Sequence, residues 1–430
     1  MMRPHKYTPW TQAVLNLAPL VDAYTEVDEA LKLTLAQIRK HEGIEFVSAL
    51  RSYGRILSAD VVALTDVPCK STSHMDGYAV VSSDLMGATP SRPAVLKVVD
   101  ATGPGSRSSV VIDNGEAIQV ATGAMLPGGA DAVVPVELAA VEGKRIRVNS
   151  ALGRGENVHR AGQDIRQGEL VLHAGHKIRA QDVGILISLG FRKIGVRTRP
   201  RVAVMATGNE LAPASKPSKG KVVESHSLVF LRLAGAMGCL GLDMGIVRDD
   251  LKELRSALSG ALARSDFVVT LGGTSAGKRD LVVNAVSSLR PDALVHGLKL
   301  DRGRVTGLAS VRGKPVLMLP GPIQAAANAF LVVGVPIIEE LSGNKKTGLS
   351  FPCALGAPWE ARKRFSGFQK VVYVKLKPGA QAVAEPIAGE TESMRLLSDA
   401  DGYFVVPQGI TKLDAGDRVE VRLVPGFSFS

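Results

Sequence analysis

Between residues 201 and 341, short apolar runs alternate with segments of helical periodicity. The continuous apolar runs are typical of strands that are buried on both faces of a sheet. They are Arg201–Ala206, Leu242–Val247, Asp266–Leu271, Ala293–His296 and Val316–Leu319. The predicted helices between and after them are Ser227–Met237, Asp250–Ala263, Asp280–Leu289 and Ile323–Leu341. This alternation predicts an α/β domain with a doubly wound parallel sheet.

Three loops in this region directly follow predicted strands. They are Thr207–Leu211, the glycine-rich Leu271–Asp280, and Leu319–Pro322. Open α/β sheets bind ligands at the carboxyl ends of their parallel strands, so we expect the three loops to line one crevice. Glycines, hydroxyl groups and acidic side chains in these loops suit a phosphorylated ligand.

The rest of the chain changes pattern several times. Residues 1–67 are predicted as an N-terminal helical region with helices Asp28–His41 and Ala49–Ala59, and residues 151–198 as the remainder of that mixed domain with a helix at Ala180–Ser188. Residues 68–150 read as an inserted β domain, residues 199–343 as the α/β domain, and residues 344–430 as a C-terminal β domain. The predicted β strands outside the α/β domain include Ala79–Val81, Ala94–Val99, Ala117–Val120, Ala132–Val136 and Lys370–Leu376. The expected protein is therefore multidomain.

Composition supports a globular protein. The chain has 430 residues, 45% of them hydrophobic. We find neither a signal-peptide pattern nor an apolar run of about 18 residues, so a soluble cytoplasmic protein without membrane contact is expected. Three scattered cysteines, Cys69, Cys239 and Cys353, indicate neither a disulfide framework nor a zinc site.

The formal net charge of +11 is compatible with an anionic partner. Residues 274–314 carry eight Lys or Arg and three Asp, a net +5 around the predicted crevice. A cluster of Arg362, Lys363 and Arg364 beside Phe365 and Phe368 could neutralise and stack single-stranded nucleic acid, although a solvated edge of the β domain is the preferred interpretation. Nucleic-acid binding therefore remains the least favoured hypothesis.

Several motifs resemble one known family. They are Ser73–Val80, Ala121–Ala124, Gly155–Val158, Ala161–Ile165, Thr207–Leu211, Val247–Asp250 and Gly272–Asp280. In this order they are similar to the MoeA/gephyrin E-domain family of molybdopterin molybdenumtransferases. The resemblance extends from about residue 28 to residue 424 and includes a Met-Asp-Gly-Tyr-Ala core.

The resemblance implies a reaction in which adenylylated molybdopterin and molybdate or tungstate give the metal cofactor and AMP, with Mg²⁺ assisting. It also implies a barrel-like form for the C-terminal β domain, and a homodimer whose active cleft lies between the α/β domain of one subunit and the inserted β domain of the other. Contact with the upstream adenylyltransferase is left open.

The resemblance further implies roles for individual residues. Catalytic roles fall on Asp76, Asp164, Glu210 and Asp280, and metal binding on Glu210, Asp249, Asp250 and Asp280. Cofactor binding falls on Thr122, Thr207, Gly208, Gly272, Gly273, Thr274, Ser275, Gly277, Lys299, Arg302, Pro320 and Gly321. Carboxylates suit a hard cation. A helix cap for Asp250 and turn roles for Asp76 and Asp164 are the structural alternatives.

Three segments depart from the family pattern. Lys299–Gly303 stands where a Lys-Pro-Gly-Lys-Pro loop is typical, Pro320–Ile323 lacks the asparagine of a Pro-Gly-Asn-Pro turn, and Glu224–His226 replaces an Asp-x-Asn segment. Arg302 keeps the charge of the second lysine, but a guanidinium does not reproduce ammonium geometry. A catalytically impaired carrier of molybdopterin or finished cofactor is therefore the alternative function.

Overall fold

The computed structural model describes residues 23–39, 43–273, 280–343, 350–362, 365–377, 379, 382–388 and 393–426. The chain divides into two compact units. One unit is Ile44–Arg197, and the other combines Met1–Gly43 with Thr198–Ser430. Helix α1, Val27–Leu35, belongs to the second of these units.

The unit Ile44–Arg197 is built mainly from short strands. These are β1 Ile44–Ser48, β2 Val61–Val62, β3 Thr72–Ser73, β4 Gly77–Val80, β5 Ala94–Thr102, β6 Glu116–Val120, β7 Ala132–Pro135, β8 Ala139–Glu142, β9 Arg145–Val148, β10 Val158–His159, β11 Leu170–Leu172 and β12 Lys193–Arg197. Six of them form one sheet in the order β7-β4-β6-β5-β9-β8, and the pairs β1-β12, β10-β3 and β11-β2 form smaller sheets. Tyr78, Leu96 and Ile146 are buried in one core of this sheet.

Helix α2, Ala180–Ser188, contributes Leu186 to a separate core of this unit, which also contains Leu57. Its first turn contains the buried Asp182, which accepts hydrogen bonds from the Arg179 side chain at 2.9 and 3.0 Å and contacts His176 Nε2 at 2.6 Å. Burial alone would raise the pKa of Asp182, but the hydrogen bonds from Arg179 and His176 outweigh it and hold the pKa below its usual range.

The predicted helix Ala49–Ala59 is wrong. Only a 3₁₀ turn, Ala49–Arg51, forms there. Gly54 has a φ of +73°, and its N–H donates to the carbonyl of Ile178 at 2.8 Å. Leu57 likewise donates to the carbonyl of His176 at 3.0 Å. Partners far along the chain take the N–H groups that a helix would need, so tertiary pairing overrides local propensity.

The second unit contains the α/β domain. Its elements are β13 Arg201–Thr207, β14 Leu211–Pro213, β15 Val222–Glu224, α3 His226–Ala236, β16 Leu240–Val247, α4 Leu251–Arg264, β17 Phe267–Leu271, α5 Leu281–Ser287, β18 Ala293–His296, β19 Gly307–Val311, β20 Lys314–Leu319, α6 Ile323–Ala329 and α7 Val335–Ser342. Six strands form a sheet in the order β16-β13-β17-β20-β19-β18. Phe230 and Phe330 are buried in one of its cores, and Leu254 and Val282 in a second. The α/β prediction is confirmed.

The sheet is mixed rather than wholly parallel. Strands β16, β13, β17 and β20 are parallel, but β19 runs antiparallel to both of its neighbours. Strand β19 was not predicted from the sequence. Arg312 and Gly313, with φ of +57° and +75°, join it to β20 in a two-residue hairpin loop of the kind that matches strand twist.

The segment Ile323–Ser342 is one continuous helical stretch. Helices α6 and α7 are joined by a π-helical segment, Phe330–Gly334. Its 20 residues are long and apolar enough to cross a membrane, so the expectation that the chain lacks such a run is wrong by this measure. The most apolar part of the stretch is 83% buried inside the fold, with Ile337 and Ile338 in the core, which is the environment of a core helix.

The C-terminal part of this unit forms a closed barrel in the order β21-β24-β23-β25-β27. Its strands and the flanking elements are β21 Ser350–Leu355, β22 Trp359–Glu360, β23 Lys370–Lys377, β24 Val383–Pro386, α8 Met394–Asp399, β25 Gly402–Val406, β26 Lys412–Leu413 and β27 Arg418–Leu423. Val374, Phe404 and Val421 fill the interior. The barrel-like prediction is confirmed.

Candidate functional site

The parallel strands of the α/β sheet are tied together at their carboxyl ends. Thr207 Oγ1, at the end of β13, donates to the carbonyl of Leu271 at 3.2 Å. The N–H of Gly208 donates to the carbonyl of Val247 at 3.3 Å, and the N–H of Gly272 to the carbonyl of Leu319 at 3.0 Å. The loops that follow these strands therefore lie at one edge of the sheet, where an α/β fold forms its ligand crevice.

Two glycines of the loop after β17 are required by packing. Gly272 has a φ of +85°, and a Cβ there would lie 2.7 Å from the carbonyl oxygen of Thr207. Gly273 has a φ of +69°, and its Cβ would meet Thr207 Oγ1 at 2.8 Å. Gly272 was predicted as a cofactor-binding residue, but its N–H is taken by the carbonyl of Leu319, so the glycine permits close packing of the strand ends. The predicted residues Thr274, Ser275 and Gly277 lie outside the described residues.

The loop after β13 meets the loop after β16. The N–H of Asn209 donates to Asp249 Oδ2 at 3.2 Å, and the N–H of Asp249 donates to Asn209 Oδ1 at 3.3 Å. The Glu210 carboxylate folds back over Gly208, where a Cβ would lie 2.6 Å from Glu210 Oε1. Two of the predicted metal ligands, Glu210 and Asp249, are thus carried by loops that are bonded to each other.

The other two predicted metal ligands cap helices. Asp250 Oδ1 accepts the N–H groups of Lys252 and Glu253, both at 2.9 Å, so the capping alternative for Asp250 is realised. Asp280 Oδ1 accepts the N–H of Val283 at 3.0 Å and caps α5. Unlike the exposed Asp250, Asp280 is only 6% exposed.

A residue that the sequence analysis did not single out lies against Asp280. His296 Nε2 is 3.1 Å from Asp280 Oδ2. Both atoms are buried and neither makes a well-aligned hydrogen bond, so proximity alone defines the contact. The direction of β18 could have indicated this residue. Strand β18 runs parallel to β20, so its last residue, His296, reaches the same edge of the sheet.

Across the part of the chain that the structure describes, no three His, Cys, Asp or Glu side chains converge as a metal site. The predicted ligands offer carboxylate oxygens, which Mg²⁺ prefers. Mg²⁺ is commonly held by one or two carboxylates together with substrate phosphates, so the donor types of Glu210 and Asp249 fit the ion.

The loop with Lys299 and Arg302 adopts a constrained shape. Lys299 Nζ lies 2.6 Å from Glu26 Oε1. Arg302 has a φ of +50°, and its guanidinium donates to Gln324 Oε1. Asn328 Nδ2 on α6 donates to the carbonyl of Arg302 at 3.0 Å. Side chains from the following helix therefore fix the arginine that replaces the family's second lysine.

A pocket of about 640 Å³ adjoins this loop. Arg302, Arg362 and Lys370 line it, together with Asp301 and Glu360. Burial lowers the pKa of Lys370, and its Nζ donates to the carbonyl of Phe368 at 2.6 Å. Three cations against two carboxylates make the lining suitable for an anion.

The aromatic residues that suggested nucleic-acid stacking have partners within the fold. The guanidinium of Arg304 lies 4.0 Å from the centre of the Phe365 ring. Phe368 contacts Tyr24 edge-to-face, with ring centres 5.2 Å apart. Of the basic cluster, Arg362 lines the pocket, while Lys363 and Arg364 lie outside the described residues.

The turn after β20 contains two of the predicted cofactor-binding residues. Pro320 is buried, whereas Gly321 is exposed.

The start of α3 is held by a glutamate. Glu224, in the segment that replaces an Asp-x-Asn pattern, accepts hydrogen bonds from Ser227 N at 2.8 Å and Ser227 Oγ at 2.5 Å. Glu224 therefore anchors the first turn of α3, at whose N-terminus His226 lies.

The unit Ile44–Arg197 carries the remaining predicted residues. Asp76 Oδ1 accepts the N–H of Thr122 at 2.7 Å and its hydroxyl at 2.9 Å, and these donors lower the pKa of Asp76. Asp76 also lines a pocket of about 460 Å³ with Tyr78 and Gln119. Asp164 lies exposed in a turn, where its N–H donates to the carbonyl of Val67 at 3.0 Å.

Comparison with protein families gives three consecutive matches. Residues 25–190 match the MoeA N-terminal region (domain I and II), residues 203–340 the "Probable molybdopterin binding domain", and residues 353–424 the MoeA C-terminal region (domain IV). A molybdopterin biosynthesis protein of Methanocaldococcus jannaschii is 30% identical over 421 residues, which cover 96% of this chain and 99% of that protein.

Further relatives carry an enzyme name. The molybdopterin molybdenumtransferase of Staphylococcus epidermidis is 29% identical, with 94% of this chain and 96% of that protein covered. The crystal structure of a MoeA protein from Pyrococcus horikoshii matches with a TM-score of 0.83 and 28% identity, covering 94% of this chain and 100% of that one. The α/β domain thus belongs to a molybdopterin-binding type of fold. The chain belongs to the MoeA family.

Proposed function

We propose that the protein is a molybdopterin molybdenumtransferase of molybdenum cofactor biosynthesis. It would insert molybdenum, or tungsten, from the oxyanion into adenylylated molybdopterin and release AMP. The observation that carries the proposal is the set of hydrogen bonds that tie the strand ends at the carboxyl edge of the sheet, where the loops with Glu210 and Asp280 follow β13 and β17. The relatives named molybdenumtransferases support it over nearly their whole length.

The pocket beside Arg302 supports the proposal, because this reaction needs partners for negative charge. Both the oxyanion and the substrate phosphates are negative, so they need cationic or N–H partners. Arg302 and Arg362 carry permanent charge, and the Asn328 bond to the Arg302 carbonyl positions this loop. We propose that this pocket receives the anionic part of the substrates.

The carboxylates divide into two kinds. Glu210 and Asp249 are the proposed Mg²⁺ ligands, because their loops are bonded to each other and each offers oxygen donors. When bound, Mg²⁺ would neutralise phosphate charge. Asp280 is the proposed reaction-centre carboxylate, and His296 is proposed to position it. Asp250 is assigned to capping with at most a supporting role.

Asp76 is the proposed contribution of the unit Ile44–Arg197. The Thr122 hydrogen bonds lower the pKa of this carboxylate and fix its direction. In the family arrangement implied by the motifs, a second copy supplies this residue, so we propose a cytoplasmic homodimer. Sedimentation of the purified protein tests the dimer independently of activity.

The direct test is turnover. Purified protein is mixed with adenylylated molybdopterin, Mg²⁺ and either molybdate or tungstate, and both AMP release and reconstitution of an apo-molybdoenzyme are followed. AMP release with reconstitution supports the transferase, and the faster oxyanion identifies the metal. Tight pterin binding without AMP release under both conditions would instead establish the carrier function.

A further inference from the structure

Two histidines in the unit Ile44–Arg197 converge on each other, and neither is among the predicted site residues. His74 Nδ1 and His159 Nε2 are 2.7 Å apart. Their ring centres are 4.5 Å apart, and the rings cross at 77°. Both residues are exposed to solvent. The two nitrogens therefore face each other at a place that a small solute can reach.

The backbone holds both residues firmly. Strands β3 and β10 pair antiparallel, with Val158 opposite Ser73 and His159 opposite Thr72. The N–H of His74 donates to the carbonyl of Asn157 at 3.0 Å, which extends the same ladder. Ser73, directly before His74, is only 1% exposed. Because the backbone is fixed at both residues, bringing the two rings together costs less conformational entropy than it would for two histidines on mobile loops.

We propose that His74 and His159 bind one divalent transition-metal ion of the class that prefers imidazole, such as Ni²⁺ or Zn²⁺. Bonds of about 2.0–2.1 Å from such an ion to two neighbouring nitrogens place those nitrogens roughly 3 Å apart. The observed 2.7 Å between the nitrogens has to grow by only a few tenths of an ångström, and both rings have to rotate so that their nitrogen lone pairs point at the ion instead of at each other. Water would complete the coordination.

The proton between the rings has a defined fate. In the hydrogen-bonded pair, one neutral ring donates its N–H to the bare nitrogen of the other. When the ion binds, that proton moves to the outer nitrogen of its own ring through solvent, which leaves both inner nitrogens free as ligands. Both rings stay neutral, and no net proton is released.

This site differs in chemistry from the carboxylates of the crevice. Imidazole nitrogens select borderline transition metals, whereas Mg²⁺ selects oxygen ligands. An ion at the pair would also place a positive charge two residues before Asp76 in the sequence. The proposal does not depend on the proposed transferase activity, because it rests only on the geometry of the two imidazoles.

The test is a calorimetric titration of the full-length protein with Ni²⁺ in the presence of excess Mg²⁺. The variants are His74→Ala, His159→Ala and the double variant, with His173→Ala as the matched control because the His173 side chain is 80% exposed in the same unit. Either single change should weaken the tightest site by at least about tenfold, since the chelate is lost, and the double change should add little. His173→Ala should leave that site unchanged.

A second measurement keeps the test independent of how well the variants fold. Substoichiometric Ni²⁺ should first broaden the ring-proton NMR signals of His74 and His159 in the unaltered protein. Undiminished affinity in the folded double variant, or earlier broadening of other histidines, would overturn the proposal and leave the pair as a hydrogen bond only.

Discussion

Asp280 has a structural and a proposed chemical role, and two substitutions separate them. Its Oδ1 caps α5 by accepting the N–H of Val283 at 3.0 Å, while its Oδ2 faces His296. Asp280→Asn keeps an oxygen at the cap and nearly the same volume but removes the negative charge. Asp280→Ala removes both.

The expected magnitudes follow from these contacts. Asparagine and aspartate are nearly equal as N-caps, so Asp280→Asn should change the free energy of unfolding by less than about 0.5 kcal/mol. Asp280→Ala loses the cap and should cost about 1 kcal/mol. If the charge acts at the reaction centre, both variants should lose about a hundredfold or more in turnover, because an electrostatic contact made during the reaction is gone.

The assay measures initial AMP release together with urea unfolding followed by circular dichroism. Asp250→Asn is the control, because Asp250 caps α4 with two hydrogen bonds but is exposed. It should keep both stability and most activity. Turnover of Asp280→Asn within about threefold of the unaltered protein would refute the chemical role and leave Asp280 as a cap.

Three further changes test other parts of the structure. Arg302→Lys should keep or raise turnover if the residue acts only as a cation, whereas a hundredfold loss of AMP release would mean that the guanidinium fork is used. Gly77→Ala should destabilise by about 1–3 kcal/mol in urea unfolding, because its Cβ would lie 2.0 Å from the Val134 carbonyl oxygen, whereas Gly184→Ala, in open space on α2, should not. Asp182→Asn should cost about 2 kcal/mol at pH 7. The pKa of Asp182 is lower in the folded than in the unfolded protein. The ionised carboxylate therefore stabilises the fold fully above the unfolded pKa of about 4, and this stabilisation is lost as the pH falls from there toward the folded pKa. The difference in melting temperature between the unaltered protein and Asp182→Asn should accordingly be smaller at pH 3 than at pH 7.

The sequence predicted the strands and helices that bury continuous apolar runs. Helix Ala180–Ser188 and strand Ala293–His296 have the predicted bounds. It failed where long-range pairing decides the structure. The segment 49–59 donates to carbonyls more than 100 residues away, and β19 is recognisable mainly through the Arg312-Gly313 loop beside it.

The site was predictable in outline and not in its contacts. The loops after β13 and β17 carry visible glycine and acidic motifs, so their position at the sheet edge follows from topology. The use of the Gly272 amide by Leu319 could not be read from the chain, since it depends on how the strands align. His296 was not predicted because it belongs to no recognisable motif, and only the direction of β18 brings it to Asp280.

The hydrogen bond between the barrel and Asn328 limits how freely parts of this protein can be exchanged. Tyr373 on β23 donates its hydroxyl to Asn328 Oδ1 at 2.9 Å, and the amide of Asn328 supports the Arg302 carbonyl. Burial raises the pKa of Tyr373, so the phenol remains a donor. A barrel transplanted from a relative without a hydroxyl at this position could still fold. It would lack the hydrogen bond to Asn328, the residue that supports the loop with Arg302. An exchanged barrel would therefore have to supply this phenol as well as a matching surface.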